Sequence, residues 1–202
     1  MPPFSKPKNK GFSLVEILLT LGVIALLAVA AFVIYPQVRL SQQVNAEVHN
    51  LAAIHSGLNS LYSTVNHNYS SLTLDVARKA GIFPKTMVNG NTVTNAWGGS
   101  IVLGPSVNPY SGISANHTYV IRYRKVPADA CAAFVTRAAS YYVAIGVGTE
   151  SRSDGSYAKI VHVLTDAGST GYNKGPTSGV QIESLLNECN SRDESEIMFI
   201  AP

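Results

Sequence analysis

Of the side chains in this 202-residue sequence that could carry chemistry, Glu16 stands apart, because it is the only charged residue between Phe12 and Tyr35. An ionised carboxylate in an apolar stretch is costly unless an opposite charge meets it. The histidines offer less. His49 and His55 are six residues apart, which keeps them off a common ligating face of a helix, and His67, His117 and His162 lack Cys or carboxylate partners at metal-binding spacing. Solvated or core histidines are expected, and no metal. Cys131 and Cys189 are too far apart for a redox pair and too few for a metal centre, so a structural disulfide and two buried thiols both stay open until the compartment is known. The sequence contains no Gly-x-Ser-x-Gly, Walker loop, His-Glu-x-x-His or Cys-x-x-Cys. The expectation is a chain that is not an enzyme, with no catalytic residues and no cofactor.

The element that positions Glu16 is the run FSLVEILLTLGVIALLAVAAFVIY, residues 12–35. As a helix these residues would extend about 36 Å, enough to cross a hydrocarbon core of roughly 30 Å. Lys6, Lys8 and Lys10 precede the run and favour a cytoplasmic N-terminus, which places the larger C-terminal part outside. Of 15 basic residues these three account for the net charge of +3; the other 12 balance 12 acidic ones, without a basic stripe for nucleic acid. A cleavable secretory signal cut at Ala28-Val29-Ala30 and a plain single-span anchor are the ordinary alternatives for such a run, and neither gives Glu16 a role.

The string Lys10-Gly11-Phe12-Ser13-Leu14-Val15-Glu16 resembles the type III signal of type IV prepilins. The resemblance implies a leader, residues 1–11, removed by a prepilin peptidase between Gly11 and Phe12, followed by methylation of the new N-terminus. Residues 12–35 would then be a transmembrane and polymerisation helix. The α-ammonium created at Phe12 can meet Glu16 of a neighbouring subunit, and pairing makes the buried charge far less costly, so that it sets the register of assembly. The implied partners are other copies of the chain, the peptidase, the inner-membrane pilus assembly machinery, and membrane lipid before assembly.

After Pro36, a site for a helix kink or local melting, the apolar pattern becomes periodic. Val44, Val48, Leu51, Ile54, Leu58, Leu61 and Val65 recur at helical spacing, while Gln42, Gln43, Asn45, Glu47, Asn50, Asn59 and Ser60 occupy other faces. Residues 36–66 thus read as an amphipathic second half of one long N-terminal helix. Beyond Asn66, Leu74 to Ala80 is a short helix stopped by Gly81 and Pro84, and Met87-Val88 and Thr92-Val93-Thr94 flank an Asn89-Gly90 turn. Strands are expected at 101–103, 119–124, 142–147, 158–164 and 197–200, and helices at 128–140 and from a Ser178–Gln181 capping box to Cys189. Polar loops span Gly148 to Ser156 and Gly168 to Gly179. The expected fold class is α+β: the long helix packed on an antiparallel β-sheet globular domain, residues 67–202.

The downstream segments also resemble the type IVb pilins, the bundle-forming, toxin-coregulated and conjugative thin-pilus group. The resemblance rests on Asn95-Ala96-Trp97-Gly98-Gly99 before Ile101-Val102-Leu103-Gly104-Pro105, then Tyr119 to Arg124, Ala130-Cys131 and Glu188-Cys189 in that order. An 11-residue leader and Phe12 as first mature residue depart toward the type IVa branch. The resemblance implies a disulfide between Cys131 and Cys189, bounding region 131–189, and a major pilin for adhesion, aggregation or conjugation. A minor pilin, a tip adhesin and a secretion pseudopilin belong to the same class; a membrane-tethered periplasmic enzyme or binding domain is the rival from another.

Overall fold

The structure, a computed structural model, describes residues 11, 13–106, 116–142, 144–148, 160–162 and 182–202. The leader up to Lys10, Phe12, the Ser178–Gln181 capping box and most of the two polar loops fall outside the described residues.

Helix α1, Leu14–Tyr62, is 49 residues long and remains helical through Pro36. A proline removes one backbone hydrogen bond, and the bonds on either side hold the turn. The chain divides after Arg39 into two compact units. In the first, every described residue is exposed, among them Leu14 at 74%, Leu26 at 74% and Phe32 at 81%. A helix apolar on all sides has no water-facing stripe and needs lipid or protein around it.

The second unit, Leu40–Pro202, holds the core. Val44, Glu47, Leu51, Ile54, Leu58 and Tyr62 form the buried stripe of α1. Leu61 and Val65, expected on that stripe, are 41% and 52% exposed, because Tyr62 takes the inward position and α1 ends there. Asn66 and His67 then adopt positive φ to turn the chain back.

Helix α2, Leu74–Lys79, is N-capped by the Thr73 hydroxyl, which accepts from Val76 N–H. Its C-terminus closes as a Schellman motif: Gly81 (φ +71) N–H donates to the Arg78 carbonyl and Ile82 N–H to the Ala77 carbonyl. The motif drops Ile82 against α1, where a Cβ on Gly57 would lie 3.1 Å from Ile82 Cγ2. Strands β1, Val88–Asn89, and β2, Thr92–Val93, form a small hairpin. Asn89 pairs with Thr92, so its turn residues are Gly90 and Asn91, one step later than expected, with the positive φ on Gly90.

The main sheet contains β3 (Ile101–Pro105), β4 (Tyr119–Pro127), β5 (Ala144–Gly148), β6 (Ile160–His162) and β7 (Glu194–Ala201). Its order is β3-β4-β7-β5-β6, antiparallel throughout. The final apolar strand is therefore central. Tyr119, Ile121 and Tyr123 alternate on the face that meets the core, and Phe199 of β7 joins them. Helix α3, Ala128–Ala138, ends in a 3₁₀ turn over Ala139–Tyr141, earlier than the expected 128–140; it puts Phe134 edge-on to Tyr123, Phe199 and Trp97. Helix α4, Ile182–Asn190, leads into β7.

Candidate functional site

The N-terminal segment holds the expected processing and assembly residues. Glu16 lies in the first turn of α1, where the helix dipole favours a carboxylate. Gly11 is exposed, and a Cβ built on it would meet nothing within 4 Å among the described residues. Phe12, between them in sequence, lies outside the described residues.

A second site lies where α1 meets the head, and its centre is Glu47. Grouped by its polarity with the solvent-facing residues, Glu47 is in fact 2% exposed. It follows Val44 by three residues and precedes Leu51 by four, which is the spacing of the buried stripe. Glu47 Oε1 accepts the Ala96 N–H at 2.8 Å and the Asn50 side-chain amide at 3.4 Å, and the Tyr123 hydroxyl faces the same carboxylate. Burial pushes the Glu47 pKa up, against the lowering effect of these donors, and burial together with the Glu47 charge holds the Tyr123 phenol well above its ordinary value.

The turn that Glu47 grips is Asn95-Ala96-Trp97-Gly98-Gly99. Asn95 Oδ1 accepts from Trp97 N–H at 3.0 Å and Gly99 N–H at 2.8 Å, and its Nδ2 donates to the Arg124 carbonyl at 2.7 Å. Gly98 sits at φ +79. A Cβ on Gly99 would fall 1.8 Å from the Arg124 carbonyl oxygen, so only glycine allows the turn this close to β4. On the other side of that carbonyl β4 bulges: Tyr123 pairs with Ile197 but Val126 with Ser195, and Lys125 takes the extra position at φ +54. Arg124 reaches the buried Glu196 at 3.3 Å. Two further ties fix α1 to the head: Arg137 Nη1 donates to Asn45 Oδ1, and the Tyr142 hydroxyl donates to the Leu51 carbonyl at 3.3 Å.

Cys131 of α3 and Cys189 of α4 form a disulfide with Cα atoms 5.7 Å apart, and both residues are fully buried. It closes a sequence separation of 58 residues that contains β5 and β6. Among the described residues no three His, Cys, Asp or Glu side chains gather as a metal would require. Within the second unit, the bonds of Glu47, Arg137 and Tyr142 tie the second half of α1 to the head, and the disulfide joins α3 to α4.

Residues 41–201 match the family model described as PilS N terminal, and residues 6–32 match that of the prokaryotic N-terminal methylation motif. No curated protein matches the chain. The crystal structure of TcpA, a type IV pilin from Vibrio cholerae El Tor biotype, is similar at 13% identity and a TM-score of 0.52, over 80% of this chain and 99% of that one. The crystal structure of the type IV b pilin from Salmonella typhi is similar at 20% identity and a TM-score of 0.50, over 77% of this chain and 97% of that one. With a family match running through the second half of α1 and the whole head, and a pilin fold shared at low identity, this chain belongs to the PilS family.

Proposed function

We propose that this chain is a structural subunit of a type IVb pilus, made as a precursor in the bacterial inner membrane and polymerised into a surface filament. The observation that carries the reading is the first half of α1, apolar and exposed on every side, with a lone carboxylate, Glu16, in its first turn. The methylation-motif match over residues 6–32 supports cleavage after Gly11 and N-methylation of Phe12. In the membrane, residues 12–35 are solvated by lipid. In the filament the same surfaces face other copies of the helix, and the Phe12 ammonium of one subunit meets Glu16 of the next. Pairing removes most of the penalty of a buried charge and disfavours any stagger that leaves it alone. The disulfide suits an oxidising, exported location for the head.

Mass spectrometry of protein sheared from the cell surface tests the reading. A mature chain starting at N-methylated Phe12 is expected, as the main component of the sheared material. An uncut Met1, or a start at Ala31, refutes it.

A further inference from the structure

Where the last turns of α1 meet the head, five side chains form one continuous hydrogen-bond chain. His55 Nδ1 meets the Tyr119 hydroxyl of β4, and His55 Nε2 lies 3.1 Å from Asn59 Nδ2. Asn59 Oδ1 accepts from the Tyr69 hydroxyl at 3.0 Å. That hydroxyl has two further neighbours at 3.4 Å, the Pro202 carbonyl and His67 Nδ1. The rings of Tyr119, Tyr141 and Tyr142 enclose the His55 imidazole, with centroids 6.2, 6.4 and 5.6 Å away.

The polarity of this chain follows from what each atom can do. Tyr69 O–H donates to Asn59 Oδ1, so the Asn59 amide nitrogen is the atom that faces His55. An amide nitrogen only donates. His55 Nε2 is then the bare acceptor, and Nδ1 carries the proton and donates to the Tyr119 oxygen. A neutral imidazole satisfies every link.

A second proton on His55 sets N–H against N–H at Asn59. A half-turn of the Asn59 amide relieves the clash without moving either side chain: Oδ1 turns to His55 and the amide nitrogen to Tyr69. Tyr69 then accepts, and its own proton goes to the Pro202 carbonyl, already in range. We infer that His55, Asn59 and Tyr69 form a two-position polar switch, reversed by one proton, that makes the packing of the C-terminal end of α1 against the head responsive to acid. This goes beyond the role of a filament subunit and does not depend on it.

Among the described residues the groups facing His55 are Tyr119 from β4, Tyr141 and Tyr142 after α3, and Asn59 on α1, with Tyr69 and His67 further on. Burial keeps Tyr69, Tyr119 and Tyr142 protonated far above neutrality, and it lowers the His55 pKa. The folded head therefore resists the second proton. A histidine held below its ordinary value supports the fold above about pH 6.5, and that support is lost as the pH falls.

The test uses the full chain in detergent micelles with ¹⁵N-labelled histidine, titrated from pH 8 to pH 5, the His55 signal being assigned by its loss in His55→Gln. Expected is an Nδ1–H tautomer at neutral pH and a midpoint below 6.5. Asn59→Asp offers an acceptor to both neighbours, so it should invert the tautomer to Nε2–H and raise the midpoint above that of the unsubstituted chain. An Nε2–H tautomer in the unsubstituted chain, or a midpoint that does not rise in Asn59→Asp, overturns the switch. Should Asn59→Asp fail to fold, the tautomer and midpoint of the unsubstituted chain decide alone.

Discussion

Replacing Glu47 separates the two parts it plays, hydrogen-bond acceptor and buried charge. Glu47→Ala removes the acceptor of the Ala96 N–H at 2.8 Å, a charge-assisted bond of about 1.5–3 kcal/mol, and the weaker one from Asn50. It also empties part of the buried stripe between Val44 and Leu51. Relief of the buried charge offsets a fraction of this, and a net loss of about 2–3 kcal/mol is expected. Glu47→Gln keeps an oxygen for Ala96 and can turn its amide to the Tyr123 hydroxyl, so at pH 7 it should lie within about 1 kcal/mol of the original. The charge then shows in the pH dependence. Because burial raises the folded pKa of Glu47 above 4.5, the folded chain holds a proton that the unfolded chain has released. The Glu47 contribution to stability is full below 4.5 and declines as the pH rises through the folded pKa, at no more than about 1.4 kcal/mol per pH unit. Urea unfolding of the full chain in mild detergent measures it, with Trp97 as reporter: it is the only tryptophan, it follows Ala96, and it packs edge-on to Phe134. The difference between the original and Glu47→Gln should shift in favour of Gln as the pH rises from 4.5. If Glu47→Ala costs less than about 0.5 kcal/mol, or Gln is as damaging as Ala, Glu47 does not hold the turn.

Gly99→Ala drives a methyl carbon to 1.8 Å from a backbone oxygen that no rotamer can move, and it should cost more than about 3 kcal/mol by overpacking and loss of the Asn95–Arg124 bond; a native urea midpoint would place the turn elsewhere. Gly11→Val should leave the head as stable as before, since residue 11 lies outside the unit that holds the core, yet accumulate uncut precursor on a blot of membranes; processing at the normal rate would contradict the cut site. Glu16→Gln should be inserted and cleaved but assemble poorly, by a few kcal/mol per subunit on the order expected for a broken buried pair, and normal filament yield by electron microscopy would remove the pairing. Cys131→Ser and Cys189→Ser should each lose about 4 kcal/mol by the chain-entropy estimate for the 58-residue separation, with little further loss in the double variant; additive losses would mean the two sulfurs act separately.

The sequence by itself determined the features written in local, one-dimensional signals. An unbroken apolar run with one carboxylate after a basic start is legible wherever the rest of the chain goes, and so is the change to helical periodicity after Pro36. Gly81 stopping α2 and the alternation of Tyr119, Ile121 and Tyr123 are legible for the same reason, since backbone preference and side-chain period act between near neighbours. The pairing of Cys131 with Cys189 needed more, namely the export implied by the N-terminus and a family resemblance. Only the tertiary structure decided the rest. Glu47 has the spacing of the buried stripe, but its polarity argues for water, and the donor that makes its burial tolerable is Ala96, 49 residues later. Gly99 reads as one more loop glycine until the Arg124 carbonyl arrives against it from β4. The central place of β7, the bulge at Lys125 and the hydrogen-bond chain from Tyr119 to Pro202 depend likewise on groups brought together from distant parts of the chain. A buried polar group is stable only where its partner is, and here the partners, Ala96 for Glu47 and Arg124 for Asn95, lie far along the chain.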